Sequence, residues 1–480
     1  MVKLLLKITV FIVLVFTIVR LLDGYVVEDN YYFRKLHFFY EAEENSLDIL
    51  VFGNSHANTG INTDILEAKC DVETFNLSIG ATNTFQVYFN ILEALNYQDP
   101  NLVIVESYPF IWHKEASNHL LIDGKMSTQN PYNVDVKRLG AVKLEELNLM
   151  DPSDKFYNTF NVFKYHSNWI NTQAQSAILK TYFSEKEKIQ FKDYDRGFNF
   201  LDKRTANKYK TTTFSDSLYI SEDEKIYLKK IIELSQKNNF ELLFLTLPMY
   251  DEYYQMEIDQ FEKINSDIDS LISGFDNVRY LDMNKNGNYS RTDFAHAKIL
   301  QNQHLNYKGG IKASNFLANY INDTYRISVK QKRNVNRAEG YLYGRNTIEK
   351  DTLFEGVVGS IDTLSYEEVR NSKVVNIPKN RRFLELNGWM YKEGVDLLKS
   401  KKRIAFKLND DFVYITQRPL GQRKTFRLVE ERGASYENSG YTLKLDKRLF
   451  EKGKYKIYHI IETDKGEVHV QDMWKWIVIE

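Results

Sequence analysis

The chain has 480 residues, with 64 Lys and Arg against 65 Asp and Glu and a formal net charge of -1. A chain of this length divides into two or three domains. The balanced charge gives no general attraction to nucleic acid, and the single cysteine, Cys70, excludes an internal disulfide framework and a cysteine-built zinc site.

The N-terminus is apolar from Leu4 to Leu22 except for Lys7, Thr9, Thr17 and Arg20. Basic side chains near the ends of such a segment can reach an interface along their own stems. Arg20-Leu21-Leu22-Asp23-Gly24 offers large residues where a signal peptidase needs small ones, so residues 1–24 are expected to be an uncleaved membrane anchor. Lys3 and Lys7 precede the apolar core while Asp23, Glu28 and Asp29 follow it, which puts the bulk of the chain outside the cytoplasm. The uninterrupted core, Ile8 to Val19, is short for a spanning helix, and a cleaved signal peptide is the alternative it leaves open.

Asp48 to Phe52 reads as a buried parallel strand, ending at Gly53-Asn54-Ser55-His56. A serine there stands at the carboxyl end of a strand, where open α/β sheets place their ligands. The same residues also suit an ordinary turn. Asn62 can cap a helix over Thr63 to Ala68, Thr74 to Leu77 is a second strand, and an amphipathic helix opens just past Gly80 with Phe85, Tyr88, Phe89, Ile91, Leu92 and Leu95 at helical spacing. A glycine at that junction lets its N–H approach a ligand beside the positive helix end. Leu102 to Val105 is the third strand, followed by Glu106-Ser107-Tyr108-Pro109.

Residues 112–220 lack a repeating strand–helix unit and are expected to be a largely helical insertion, aromatic between Lys155 and Ile170. Those aromatics could stack on sugar rings or simply form core. Alternation resumes with a capping box at Ser221 and Glu224, a fourth strand at Glu241 to Leu247, a helix from about Tyr254 to Ile272, a fifth strand at Val278 to Leu281, and a last helix after Gly309-Gly310 that ends near Asp323. Such alternation implies a parallel sheet with helices on both faces over residues 25–325. Residues 326–380 read as a linker or small β region. From 381 to 480 about seven short strands with turn residues between them suggest a β-sandwich: Phe383 to Trp389, Arg403 to Leu408, Phe412 to Thr416, Thr425 to Leu428, Tyr441 to Leu445, Tyr455 to Glu462 and Trp474 to Ile479.

The second stretch that carries chemistry is Gln303-His304-Leu305-Asn306-Tyr307-Lys308-Gly309-Gly310, after the fifth strand. A histidine reaching Ser55 would act as general base and return the proton to the leaving group. The N–H groups of Ser55 and Gly80 are then the candidate oxyanion donors. His113, His166, His296 and His304 are scattered without a paired ligand spacing, which speaks against metal catalysis.

In order and spacing, Gly53-Asn54-Ser55-His56, Gly80 and His304 with Leu305-Asn306 and Gly309 resemble three blocks of the SGNH (GDSL-like) hydrolase and acyltransferase superfamily. The resemblance spans roughly Asp48 to Asp323. It implies a three-layer α/β/α, flavodoxin-like fold with five parallel strands and ester chemistry at an active-site serine, with no cofactor. Two positions depart from the family pattern. The third block supplies no side-chain amide, for which Asn83 is the candidate substitute, and the usual aspartate three residues before the histidine is Gln301. Asp293 or Asp282 could orient His304 through the long loop, a backbone carbonyl could do so, or the pair is a Ser–His dyad.

An anchor, an extracytoplasmic SGNH-like domain and an appended β-sandwich together resemble bacterial envelope proteins that add or remove acyl groups, chiefly acetyl, on surface polysaccharides. That resemblance implies a cell-surface glycan as substrate and a multi-spanning membrane acyltransferase as acyl donor. The reading from another class is a catalytically silent glycan-binding or assembly protein of the envelope; a lipase-like reading finds no long apolar lid.

Overall fold

The computed structural model describes residues 2–23, 31–70, 72–108, 132–150, 158–169, 218–286, 289–296 and 303–330, with short pieces at 110, 112–113, 121–122, 125–126 and 197. In the C-terminal part it describes residues 342–344, 357–364, 367–369, 372–377, 383–408, 413–416, 420, 437–447, 450 and 452–480. The chain divides into two compact units, one of residues 1–63, 72–306 and 326–331, the other of residues 64–71, 307–325 and 332–480. The expected strand Thr425 to Leu428 and most of the aromatic insertion lie outside the described residues.

Helix α1 spans Val2–Asp23. Its window Val2–Val19 has a mean hydropathy of 2.6, none of it buried, so it is long and apolar enough to cross a membrane. Helix α2, Tyr31–Glu41, turns Leu36 and Phe39 into the core.

The first unit is built on five parallel strands: β1 (Ile49–Phe52), β2 (Thr74–Asn76), β3 (Leu102–Glu106), β4 (Glu241–Thr246) and β5 (Val278–Asp282). All five fall where hydrophobic patterning puts them. Their order is β2-β1-β3-β4-β5. Every residue of β1 and β3 is buried, as expected of strands covered on both faces. Because right-handed crossovers run in opposite directions on either side of β1, this order sets helices on both faces and reverses between β1 and β3.

Helix α3 (Ser55–Gly60) follows β1 directly, and α4 is Thr63–Cys70. Helix α5 (Thr84–Leu95) packs on α6 (Glu222–Asn238) through Phe85 and Tyr227, whose ring centroids are 5.3 Å apart. Ser221 caps α6, accepting from the Glu224 N–H at 3.2 Å. The helix expected from Tyr254 is instead broken at Glu257 (φ -113, ψ 20), leaving a short turn Asp251–Met256 and α7, Ile258–Ile272. The break lets Phe261 and Tyr254 pack ring against ring at 5.0 Å. Strand pairing between Trp112–His113 and Leu218–Tyr219 closes the base of the insertion. A two-stranded ribbon, β6 (Phe294–His296) with β7 (His304–Leu305), follows β5.

In the second unit, α8 (Tyr307–Thr324) lies beside α4, with the Cys70 thiol 3.5 Å from the Ala318 carbonyl. The rest is a β-sandwich. One sheet contains β8 (Leu342–Gly344), β11 (Val374–Ile377), β13 (Lys401–Lys407), β14 (Val413–Thr416), β16 (Gly453–Glu462) and β17 (Val468–Ile479), in the order β8-β14-β13-β16-β17-β11. The other contains β9 (Val357–Leu364), β10 (Glu367–Glu368), β12 (Phe383–Lys392) and β15 (Gly440–Asp446), in the order β10-β9-β12-β15. Pairing is antiparallel except between β11 and β17. Strands between Leu342 and Ile377 thus enter both sheets.

Polar bonds join the sheets in this interior: Tyr441 Oη lies 2.7 Å from His459 Nε2, and the buried Lys402 ammonium donates to the Gly440 carbonyl at 2.8 Å. His459 is wholly buried, and burial, aided by the Lys402 charge, pushes its pKa down to about 3. The unfolded chain takes up this proton below about 6.5 while the folded chain does not, so stability is lost as pH falls from there toward 3. The hydrogen-exchange protection of β15 and β16, corrected for the intrinsic rate, is expected to fall as pH drops from 6.5 to 5. His459→Gln should remove that pH dependence, and a mutant that keeps it would place the acid-sensitive group elsewhere.

Candidate active site

The site lies at the carboxyl ends of β1 and β3, where the strand order reverses and where doubly wound sheets bind ligands. Ser55 is the first residue of α3 and is only half-buried, while its neighbours Asn54 and His56 are buried. Asn54 is the N-cap, its Oδ1 accepting from the His56 N–H at 3.0 Å. From β2, Asn76 Nδ2 donates to the carbonyls of Ala57 (2.9 Å) and Ile61 (3.1 Å), which fixes α3 against the sheet.

Gly53 is demanded by packing. Its φ is +155, and a Cβ there would fall 2.7 Å from Glu106 Cβ and 3.0 Å from Ala57 Cβ. Glu106, at the end of β3, is 1% exposed. Its carboxyl accepts the N–H of Tyr108 at 2.7 Å and that of Asn54, so it grips both loops that form the site. Desolvation dominates there and pushes the Glu106 pKa up to about 8.

The residues flanking His304 are tied on both sides. Gln303 Oε1 accepts from the Tyr250 N–H at 2.7 Å, and Asn306 donates through its N–H to the Asp293 carbonyl (2.9 Å) and through Nδ2 to the Thr292 carbonyl (2.8 Å). Gly60, at the end of α3, admits Leu305: a Cβ would lie 3.3 Å from Leu305 Cδ1. This brings His304 to the serine turn. Its ring centroid is 4.8 Å from that of His56, at 87°, and the other neighbour of His56 is Tyr108 at 3.8 Å. Burial, with the His304 charge adding to it, holds His56 well below the usual imidazole range and therefore neutral.

The sequence-level candidates separate. Ser55 and Gly80 lie side by side, since a Cβ on Gly80 would stand 3.7 Å from Ser55 Cβ, while His304 meets the serine turn through the ring of His56. Asn83 caps α5, its Oδ1 accepting from the Gln86 N–H at 3.0 Å. Asp293 accepts the Ser290 N–H at 3.0 Å within its own turn and serves the ribbon of His304 through its backbone carbonyl. Asp282 binds Tyr254 Oη (2.9 Å), Asn265 Nδ2 (3.0 Å) and Asn284, so its carboxylate is committed to the fold. Gln301 lies outside the described residues. No group of three or more His, Cys, Asp or Glu among the described residues is placed to hold a metal ion.

Helix α2 enters the site, which the sequence reading did not assign to it. Tyr32 and Lys35, one turn apart, both bond the segment from Ser78 to Gly80. The Gly80 N–H donates to Tyr32 Oη at 3.1 Å. Lys35 is wholly buried and donates to Asn58 Oδ1 on α3 (2.7 Å) and to the Ser78 carbonyl (2.5 Å), with its pKa held well below the usual ammonium value by burial. A lysine inside the apolar stripe of Leu36 and Phe39 was the available sequence signal.

No family model and no curated protein sequence matches the chain. Among solved structures, a candidate acylhydrolase from Bacteroides fragilis is 11% identical, with a TM-score of 0.29 over 61% of this chain and 95% of its own. A Streptococcus pneumonia protein described as a candidate platelet activating factor is 10% identical, with a TM-score of 0.27 over 59% of this chain and 91% of its own. A gut microbial diltiazem-metabolizing enzyme gives 12% identity and a TM-score of 0.21 over 91% of this chain and 73% of its own. At these scores the likenesses carry no residue-by-residue correspondence.

Two outcomes follow from this geometry. Folded Glu106 keeps its proton up to about pH 8, whereas the unfolded chain loses it near 4.5, so its contribution is full below 4.5 and lost as pH rises through 8. The loss is on the order of several kcal/mol. Glu106→Gln keeps an acceptor for the two N–H groups and removes the titration; thermal melts should show a midpoint that falls between pH 5 and 8 in the wild type and much less in the variant. Tyr32→Phe frees the Gly80 N–H, worth about 1 kcal/mol. Turnover of an activated acetyl ester should therefore rise about fivefold, and a fall would instead give the hydroxyl a part in the chemistry.

Proposed function

We propose that this protein is an extracytoplasmic serine esterase or O-acyltransferase that removes or adds acyl groups, chiefly acetyl, on a cell-surface glycan. The observation that carries the reading is the place of Ser55 and Gly80 side by side at the switch point of a 2-1-3-4-5 sheet, with His304 packed on His56 of the serine turn. The sequence resemblance to SGNH enzymes supports ester chemistry at that place, and α1 supports attachment to a membrane.

In this mechanism Ser55 Oγ attacks the acyl carbonyl while His304 takes its proton. The electron pair moves onto the carbonyl oxygen, which the N–H groups of Ser55 and Gly80 receive once Tyr32 Oη gives way. Collapse breaks the bond to the leaving alkoxide, His304 returns the proton to it, and an acyl-Ser55 ester remains. Water or a sugar hydroxyl then attacks that ester with His304 again as base, releasing acid or the acylated sugar. Asn306 and Gln303 hold His304 in place, and the neutral His56 ring fills the space between it and Tyr108 without adding charge. A membrane-bound acyltransferase is the proposed acyl donor in the transfer direction.

A second reading has one observation in its favour. The Gly80 N–H is already taken by Tyr32, as it would be in a silent glycan-binding or assembly protein. The deciding experiment uses the full chain in detergent. Acetate release and intact mass are followed with an activated acetyl ester for the wild type, Ser55→Ala and His304→Ala. Loss of both turnover and acyl-enzyme, by about three orders of magnitude, is expected in each variant. Equal behaviour of the wild type and Ser55→Ala would leave the silent reading.

A further inference from the structure

The second unit carries a structure that the chemistry at Ser55 does not use. Strand β17 bulges against β16: Lys456 pairs with Trp476 and Tyr458 with Asp472, so three residues of β17 stand opposite one of β16. Trp474 sits on this bulge with φ +52 and is 66% exposed. A bulky aromatic residue in the left-handed region is uncommon, and the backbone persists there only where its surroundings hold it.

They do so from both sides. Below, the buried Lys475 ammonium donates to the carbonyls of Val369 (2.5 Å) and Ser372 (2.9 Å). Above, Asp472 Oδ1 accepts the Trp474 N–H at 2.8 Å. The other oxygen of Asp472 pairs with Lys456 Nζ at 2.5 Å. That ammonium lies 4.9 Å from the Trp474 ring, 5.5 Å from Trp476 and 5.6 Å from Tyr458. Asp472 and Tyr458 favour its charged form. Exposure alternates over residues 454–458 and 474–477, with Lys454, Lys456, Trp474 and Trp476 outward and Tyr455, Ile457, Lys475 and Ile477 inward, while Tyr458 packs on the buried cluster of Ala405, Ile460 and Val470. This end of the outer face therefore displays two indoles beside a fixed Lys–Asp pair.

We propose that this face is a carbohydrate-binding platform for a flat, β-linked oligosaccharide of gluco configuration. All-equatorial pyranoses present axial C–H bonds to an aromatic ring on one side and hydroxyls at the rim. Trp474 and Trp476 match the first, and the Lys456 ammonium and Asp472 carboxylate match the second as donor and acceptor. An ion pair beside the indoles is poorly suited to insertion into a bilayer, where unsolvated charge is costly. Platform and serine site are separate functions: the platform would hold a glycan whether or not Ser55 turns it over.

The test uses the full chain in a detergent without a sugar headgroup, with cellohexaose as probe and the curved, α-linked maltohexaose as comparator. Binding is read by tryptophan fluorescence and calorimetry. Cellohexaose should bind in the millimolar range or tighter, about tenfold better than maltohexaose. Trp474→Ala should weaken it at least about tenfold. Trp474→Gly should lose binding equally while its melting point holds or rises, because glycine accepts the backbone conformation. Ser55→Ala should bind as wild type, and Trp474→Ala should hydrolyse a small activated ester as wild type, so failure here is distinct from failure of the serine chemistry. Absence of cellohexaose binding at millimolar concentration overturns the proposal. So does binding unaltered in Trp474→Ala, or a Trp474-dependent dimer that ignores the sugar.

Discussion

The parallel pairing of β1 with β3 is the constraint on which the candidate site depends. Ile49 to Phe52 lie in register with Leu102 to Val105, so both strands end at one level, and the chain leaves them in different directions because the order reverses there. Diverging loops at such a reversal are where doubly wound sheets place their ligands. Glu106 then grips both, through the Asn54 and Tyr108 amides. The close approach of Gly53 to Glu106 is the steric expression of the same junction.

Buried polar groups do most of the positioning. Lys35, Asn76 and Gln303 each tie segments that no ladder joins, Asn306 extends the β6–β7 ribbon by one more bond, and all four are buried. In a low-dielectric interior such bonds are strong when satisfied and costly when broken. Tyr32, half-exposed on α2, accepts the Gly80 N–H beside the serine. Since α2 is the first described helix after the apolar α1, the segment that follows α1 in the chain contributes directly to the candidate site.

The sandwich uses the same logic for a different end. Tyr441 with His459 joins its sheets from inside, and Lys475 inside with Asp472 outside holds a bulge that turns Trp474 to solvent. Bulges re-aim side chains at a local cost in ladder pairing. Here the result is an aromatic face with its own fixed charges.

Periodicity alone located all five strands of the parallel sheet, the helices α5, α6 and α8, and six of the seven strands expected after residue 380, because apolar spacing reports which face of an element is buried. Local residue chemistry likewise placed Ser55 at a strand-end turn and Gly80 ahead of a helix, since both are short-range features. The break at Glu257, the capping role of Asn83 and the commitment of Asp282 to Tyr254 and Asn265 were invisible, for each depends on a partner distant in the chain or on a choice among equivalent hydrogen bonds. Tyr32, Lys35, His56 and Glu106 became site residues only through folding. A side chain's composition and spacing state that it will be buried; which amide, ring or carbonyl it then meets is fixed by strand order and by the packing of segments that are remote in sequence.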